Sequence, residues 1–403
     1  MLPSPPTGPL AGLKVIELCH VMAGPTCGLM LADMGADVIK VEKIPSGDDT
    51  RRSIPPAING ESAAYLMMNR NKRGVALDLK TDDGKRVLHR LLADADVVTE
   101  NYRRDAMAKM GFGYEALKAQ NPRLIYCSIS GFGRTGPYAD RGGFDLVAQG
   151  MSGLMSITGE GPGRPPVKVG APVTDITAGL VACMGILAAL NHRHATGRGQ
   201  MVDTSLFEAG ITHTYWQSAI AFASGVAPAP MGSAHPLNAP YQAFPTADGW
   251  ITVGAANQPN WLRLVEVLEA PALVEDPRFR TNPDRMAHLA ELEPALTTYF
   301  RRRDTADWLV RLEAAGVPAG PVLDINQMHR DPQALARDMI VETEHPVAGP
   351  VKALGLPVKF SDSPGGGLRP APLYGQHTRE VLLEHGFTAA DIDALAASGA
   401  IRV

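Results

Sequence analysis

The chain has 403 residues, 45% of them hydrophobic and 20% charged, with a formal charge of −4 at neutral pH. These values suit a soluble globular chain of one very large domain or two, and give no general attraction to nucleic acid or an anionic membrane. Cys19, Cys27, Cys127 and Cys183 are scattered and form no CxxC pair, which argues against disulfide staples and a zinc site.

Residues 1–6, Met-Leu-Pro-Ser-Pro-Pro, lack a basic region followed by an apolar core, so no secretory signal is read and a cytoplasmic protein is expected. Residues 14–18 read as a short β-branched strand, and 25–34 as a helix with Pro25 in its first turn. A turn at Gly35-Ala36 leads to a strand at 38–42, followed by a helix at 88–93 and strands at 96–100 and 124–128. Strands separated by helical patterns imply an α/β fold with a mostly parallel sheet and helices on its faces. The apolar run 180–190 is too short to cross a bilayer. The chain then reads as helical from 200 to about 224 and breaks into the proline- and glycine-rich stretch 225–236. A strand–turn–strand around Asp248-Gly249 opens a distinct segment that runs to about 318, with helices after it. Residues 318–375 are again rich in proline and glycine, and a helix at 378–385 closes the chain. The expected organisation is a large α/β domain in two parts, 1–224 and 331–403, interrupted by a smaller α+β domain at 225–330 with flanking linkers.

The opening strand, turn, helix and second strand ending in Glu42 imitate a dinucleotide-binding unit, with an acid placed to take a ribose hydroxyl. The turn, however, reads Ala23-Gly24-Pro25-Thr26-Cys27-Gly28 and lacks the G-x-G-x-x-G spacing, with proline and threonine where a pyrophosphate needs glycine. No P-loop, G-x-S-x-G or HExxH occurs.

Asp175 lies in Gly170-Ala171-Pro172-Val173-Thr174-Asp175, directly before the apolar run 180–190 that ends in His192-Arg193-His194 and Thr196-Gly197-Arg198-Gly199-Gln200. The plain reading of such an aspartate is a helix cap. A second reading comes from the company it keeps. Ala23-Gly24-Pro25, Gly35 to Glu42, Gly47-Asp48, Thr50-Arg51, Asn69 to Arg73, Leu77 to Lys80 and Ala95 to Asn101 precede it. Ser130-Gly131-Phe132-Gly133 and Gly136-Pro137 lie nearer to it, while Thr246 to Gly249, Gly316 to Pro321 and Leu373 to Thr378 follow. In that order and over 11–386, the chain resembles the family III CoA-transferases, the formyl-CoA transferase and carnitine CoA-transferase superfamily.

The resemblance implies that the Rossmann-like unit binds coenzyme A and that Asp175 is the nucleophile, attacking an acyl-CoA to give a mixed anhydride and then an aspartyl-CoA thioester. It places CoA contacts at Met22, Ala23, Lys43, Leu77, Lys80, Asn101 and Lys109. Lysine stands at 43 and 109 where relatives often have arginine, which keeps the charge but not the planar fork. Met22 stands where relatives carry glutamine, so a side-chain amide is missing there. His20, Phe144 and Asp145 would wall the acyl site, and Arg51, Arg70, Arg141 and His235 are candidates to hold a remote carboxylate. Each could equally be packing or surface, and the charge run Arg70 to Arg73 would ordinarily be a solvated turn. The resemblance further implies a homodimer of interlocked rings, no resident cofactor or metal, and substrates that are an acyl-CoA and a carboxylic acid. The stretches Gly232 to Pro236, Tyr241 to Phe244 and Glu344-His345-Pro346 look most like succinyl-CoA-dependent dicarboxylate transferases of the glutarate type. Two other classes stay open: an α-methylacyl-CoA racemase, which shares the fold and the aspartate, and a dinucleotide-binding or non-catalytic relative.

Overall fold

Val15, Val38, Val97 and Ile125 point to one face of a sheet and Ile16, Ile39, Val98 and Tyr126 to the other, and both sets are buried. That two-residue alternation with both faces covered is what a parallel sheet between helical layers requires. The computed structural model describes residues 7–365 and 367–403; the reading of residues 1–6 lies outside them. By contact density the chain divides into two units. The first is Met1–Leu154, Val169–Thr214 and Gln333–Val403, and the second is Met155–Lys168 with Tyr215–Pro332.

In the first unit, β1 (Lys14–Leu18), α1 (Ala23–Asp33), β2 (Asp37–Lys43), β3 (Arg73–Leu77), α2 (Asp82–Ala93), β4 (Val97–Glu100) and β5 (Ile125–Ser130) follow in chain order. α3 (Asp145–Met151), α4 (Val173–Thr196), β6 (Met201–Ser205) and α5 (Leu206–Thr212) come next. The sheet order is β3-β2-β1-β4-β5-β6, all parallel, with the last strand Ile401–Arg402 added antiparallel beside β3. The order reverses between β1 and β4, so a crevice opens where the loops after these two strands part, as in doubly wound α/β folds generally.

α1 and α4 lie together on one face of this sheet. Their approach is set by glycines. A Cβ on Gly179 of α4 would stand 2.5 Å from the Ala23 carbonyl oxygen and 2.6 Å from Thr26 Cβ. A Cβ on Gly24 or Gly28 of α1 would run into Cys19 or Glu17 of the strand side. The start of α1 is therefore wedged between β1 and α4 with no space for a side chain on either side. α4 is 24 residues long and its most apolar 18-residue window has mean hydropathy 1.9, enough by length and composition to cross a bilayer, which the run 180–190 alone was not. Here Ala178, Ala182, Ile186 and Ala189 are fully buried against α1 and the sheet.

The second unit has a three-stranded antiparallel sheet, Ala319–Pro321, Trp250–Gly254 and Tyr241–Pro245, with the expected turn at Asp248-Gly249. Helices cover it, and Phe244, Trp261, Phe300 and Trp308 fill its core.

Three elements differ from the sequence reading. Residues 201–205 are not helical: Val202 and Thr204 join the sheet as β6, paired with Tyr126 to Ser130. β3 went unread because its start lies inside the basic run, and Arg70, Lys72 and Arg73 are buried instead of solvated. Carboxylates distant in sequence, two of them buried themselves, explain this. Lys72 Nζ meets Glu17 at 2.9 Å, Arg70 pairs with Asp33, and Arg73 with Asp37 and Glu384. Finally, the helix Thr378–Glu384 does not close the chain; Thr388 caps a further helix, Ala389–Ala397, before the last strand.

Gly179→Ala should cost about 1–3 kcal/mol of stability in a denaturant titration, because the clash is with backbone. Gly161→Ala, whose Cβ would meet nothing within 4 Å, should stay within about 0.5 kcal/mol of wild type. Equal stabilities would mean that α1 and α4 are free to separate.

Candidate active site

Asn101, immediately after β4, closes the crevice at its base. Its Nδ2 donates to the His20 carbonyl at 2.8 Å and its Oδ1 accepts from the His20 N–H at 3.0 Å. One amide side chain thus holds the loop after β1 to the loop after β4. On the far side of that loop, Val21 sits at φ 70°, a left-handed conformation costly for a β-branched residue. Asp48 Oδ1 takes the Val21 N–H at 3.2 Å, and Asp48 Oδ2 is itself 2.8 Å from the buried Lys40 ammonium. Lys40 also meets Glu17 at 3.0 Å, and burial, which alone would lower its pKa, is outweighed by these carboxylates, which raise it. The loop is fixed from behind by a buried ionic frame.

Above the crevice is a cavity of about 370 Å³ lined by the His20–Ala23 loop, Asn101 to Arg104, Arg141 to Phe144 and Asp175. Asp175 is the third residue of α4, not its cap; the cap position is Pro172, whose side chain accepts nothing. Gly179 is one turn further along the helix, so its contact with Ala23 brings Asp175 to the start of α1. The first N–H groups of a helix have no partner within it and favour a negative group. The Asp175 carboxyl is half-buried and pushed up to about 6, by burial first and by the Asp145 charge second, with no hydrogen bond offsetting them.

The sequence-derived residues divide cleanly. His20, Met22, Ala23, Asn101, Arg141, Phe144 and Asp175 line the cavity. Lys43 lines a small neighbouring cavity with His20 and Tyr102, and its ammonium is 2.8 Å from Asp49, which also meets His20 at 3.3 Å. Leu77 is buried at the end of β3, while Lys80 and Lys109 are exposed outside both cavities. Asp145 stands behind the cavity wall with both oxygens engaged by Thr174 and Gln149. Arg51 and Arg70 are not brought to the site. Arg51 forks onto Glu42 with two contacts of 2.7 Å, and Arg70 is buried against Asp33. His235 lies in the second unit between the rings of Trp216 and Tyr241.

Tyr102, Arg103 and Arg104 were missed. Their signal was position, since they directly follow Asn101 at the carboxyl end of the strand beside the switch point. Arg104 reaches Asp140 at 3.5 Å, and Arg141 lies over the Tyr138 ring at 4.0 Å. The cavity therefore presents guanidinium groups around a carboxylate that none of them neutralises. Among the described residues no group of three or more His, Cys, Asp or Glu side chains is arranged to hold a metal ion.

A carboxyl raised to about 6 has a definite effect on stability. Between the ordinary aspartate range and pH 6 the folded chain keeps a proton the unfolded chain has released, so this group costs stability as pH rises, fully above 6. Asp175→Asn should therefore melt higher than wild type at pH 7.5 and lose that advantage by pH 4. A capping aspartate would show the opposite, a loss of stability at pH 7.5.

Residues 10–378 match the sequence pattern of CoA-transferase family III. The chain is 43% identical over 382 residues to the succinate–glutarate CoA-transferase of Agrobacterium fabrum, covering 93% of this chain and 95% of that one. It is 38% identical over 396 residues to the succinyl-CoA:glutarate CoA-transferase of Mus musculus, covering 98% and 90%. A crystal structure of a CAIB/BAIF family protein from Brucella suis superposes with a TM-score of 0.84 at 41% identity, covering 94% of this chain and all of that one. With a doubly wound sheet, an unneutralised aspartate at its switch-point crevice and these likenesses along its whole length, the chain belongs to CoA-transferase family III.

Proposed function

We propose that the enzyme moves CoA from succinyl-CoA to a C4–C6 dicarboxylic acid, with Asp175 as the nucleophile. The observation that carries this reading is the Asp175 carboxylate itself, raised, half-buried and without a cation partner in the cavity. An aspartate that only capped a helix would be satisfied by backbone N–H groups and lowered.

In the first half-reaction an Asp175 oxygen attacks the thioester carbonyl, the C–S bond breaks, and CoA leaves as the thiolate. The thiolate then attacks the aspartyl carbonyl of the mixed anhydride and releases succinate, leaving aspartyl-CoA thioester. The acceptor carboxylate attacks that thioester, re-forming an anhydride and thiolate, and the thiolate takes the acyl group. The free N–H groups at the start of α1 are suited to the tetrahedral oxyanions. Met22 supplies no side-chain amide here, so the backbone has a larger share of that work.

Met22, Ala23 and Asn101 at the crevice, together with Lys43, Leu77, Lys80 and Lys109, are the proposed CoA contacts. The acyl part lies against His20 and Phe144, and Arg141, to which Arg103 is now added, takes the remote carboxylate. His235 is kept as a candidate contact of the second unit. Support for dicarboxylates comes from the names of the relatives and from guanidinium groups in the cavity.

The functional particle is proposed to be an interlocked homodimer acting in the cytosol, built from a large domain (1–224 and 331–403) and a small one (225–330). Phe144, Leu146, Val147, Met151, Leu180 and Met184 support the dimer: they leave an apolar face on α3 and α4 exposed, Phe144 by 79%. Large exposed apolar patches commonly mark interaction surfaces.

A racemase needs a second acid/base group on the other face of the α-carbon. Phe144 stands where racemases of this superfamily carry histidine, and its ring cannot move a proton.

Incubation with succinyl-CoA followed by hydroxylamine should modify Asp175 alone, and Asp175→Ala should fold yet lose transfer. Glutarate should be a far better acceptor than oxalate or carnitine. A 2-methylacyl-CoA should keep its α-proton in D2O. Near-normal turnover by Asp175→Ala, or rapid α-deuteration that depends on Asp175, would contradict the reading. Light scattering should give a dimer whose subunits do not exchange without unfolding.

A further inference from the structure

Asp145 opens α3, yet its carboxylate serves α4. Oδ1 accepts from the Thr174 N–H at 2.9 Å and from Thr174 Oγ1 at 2.7 Å. Oδ2 accepts from Gln149 Nε2 at 2.7 Å, and Gln149, fully buried, uses its Oε1 to take the Val169 N–H at 2.8 Å. α4 has no cap of its own, because Pro172 occupies the cap position. Asp145 supplies the missing acceptor from a different helix, at the residue directly before Asp175. Thr174 is fully buried, so the rotation of this first turn, and with it the direction in which Asp175 leaves the helix, is tied to Asp145. Both Asp145 oxygens are thus engaged inside the protein, and of the pair Phe144-Asp145 the residue that lines the cavity is Phe144.

We propose that Asp145 is a positioning residue for CoA transfer: it anchors the first turn of α4 through Thr174 and holds a fixed negative charge beside the Asp175 carboxylate. The proposal rests on Asp175 being the nucleophile. Its chemical consequence is relief of repulsion. Two neighbouring carboxylates disfavour each other's charge. When an Asp175 oxygen bonds the acyl carbon, the charge leaves with the CoA thiolate and Asp175 becomes a neutral anhydride and then a neutral thioester. The Asp145 charge thus raises the free carboxylate in energy relative to both acylated states and makes Asp175 more basic.

The other groups facing Asp175 do not duplicate this. α1 presents Ala23 and Thr26, which are uncharged. The loops contribute His20, Arg103, Arg104 and Arg141, and α5 brings Leu206 to the cavity and leads to His213, which bonds Thr177 at 2.8 Å. Asp145 is the charge set against Asp175 among the described residues.

The test compares Asp145→Asn, Asp145→Glu and Thr174→Val, each checked for folding by its melting curve, with succinyl-CoA and glutarate as substrates. Asp145→Asn should lower kcat by about 10-fold or more. It should also move the acid limb of the kcat/KM profile from near pH 6 toward the ordinary carboxylate range. KM for succinyl-CoA should change by less than about 3-fold, since CoA contacts are untouched. Asp145→Glu, which restores the charge, should return the limb to near its wild-type position. Thr174→Val, which keeps the charge and removes one anchor, should lower kcat without moving the limb. Wild-type position of the limb and wild-type kcat in Asp145→Asn would overturn the inference. Should that variant not fold, unchanged kcat in both other variants would do so. Hydroxylamine labelling of wild-type Asp175 separates the two readings: no label sinks the nucleophile, whereas labelling with an unmoved limb sinks only the role of Asp145.

Discussion

The contact on which this site depends is the backbone approach of α1 to α4 over Gly179. A carboxylate is most useful as a nucleophile when it is partly dehydrated and not neutralised by a cation, and a folded protein has no easy way to keep one so. Here the helix start at Ala23 reaches Asp175 only because no Cβ separates the helices at Gly179, and because Gly24 and Gly28 let α1 sink onto β1. A side chain at any of these three positions would force α1 away from α4 or from β1, and with it the partial positive charge of the helix start.

Rigidity behind that contact comes from buried charge. Glu17, Lys40, Lys72 and Asp48 are all buried, an arrangement that contributes little net stability but is strongly unfavourable to break. Its geometric effect is plain. Lys72 Nζ donates to the Pro25 carbonyl of α1 at 3.0 Å, Lys40 Nζ donates to the Cys19 carbonyl at 2.8 Å, and Asp48 holds Val21 in its left-handed conformation. One ionic cluster thus fixes the end of β1, the turn and the start of α1 together. The cost of placing Asp175 unneutralised is met by a frame that has no freedom to relax around it.

Much of this was legible in the sequence, and the reasons differ by element. β-branched runs at 14–18, 38–42 and 96–100 announced buried parallel strands, whereas Asp175, by its place before a long apolar run, read as a helix cap and was singled out only by the family resemblance. What escaped was of another kind. The run Arg70 to Arg73 looked solvated because its partners, Asp33, Asp37 and Glu17, are distant in sequence and become neighbours only across the sheet. Arg51 looked available for substrate until Glu42, on the adjacent strand, claimed it. Tyr102 to Arg104 were invisible as chemistry since their meaning lies in the reversal of strand order between β1 and β4. Local pattern fixes elements, whereas the pairing of charges is decided by topology.

If Asp175 bonds covalently to the acid, oxygen must pass between the acceptor and the enzyme. In the second half-reaction an oxygen of the acceptor carboxylate becomes the bridge of the anhydride and remains on the aspartate when the thiolate takes the acyl group. With succinyl-CoA and glutarate labelled with 18O in both carboxylates, enzyme quenched after one turnover should show a peptide containing Asp175 heavier by one label, with no other carboxylate enriched. An unlabelled Asp175 peptide after full conversion to glutaryl-CoA, or label on a different residue, would contradict the account.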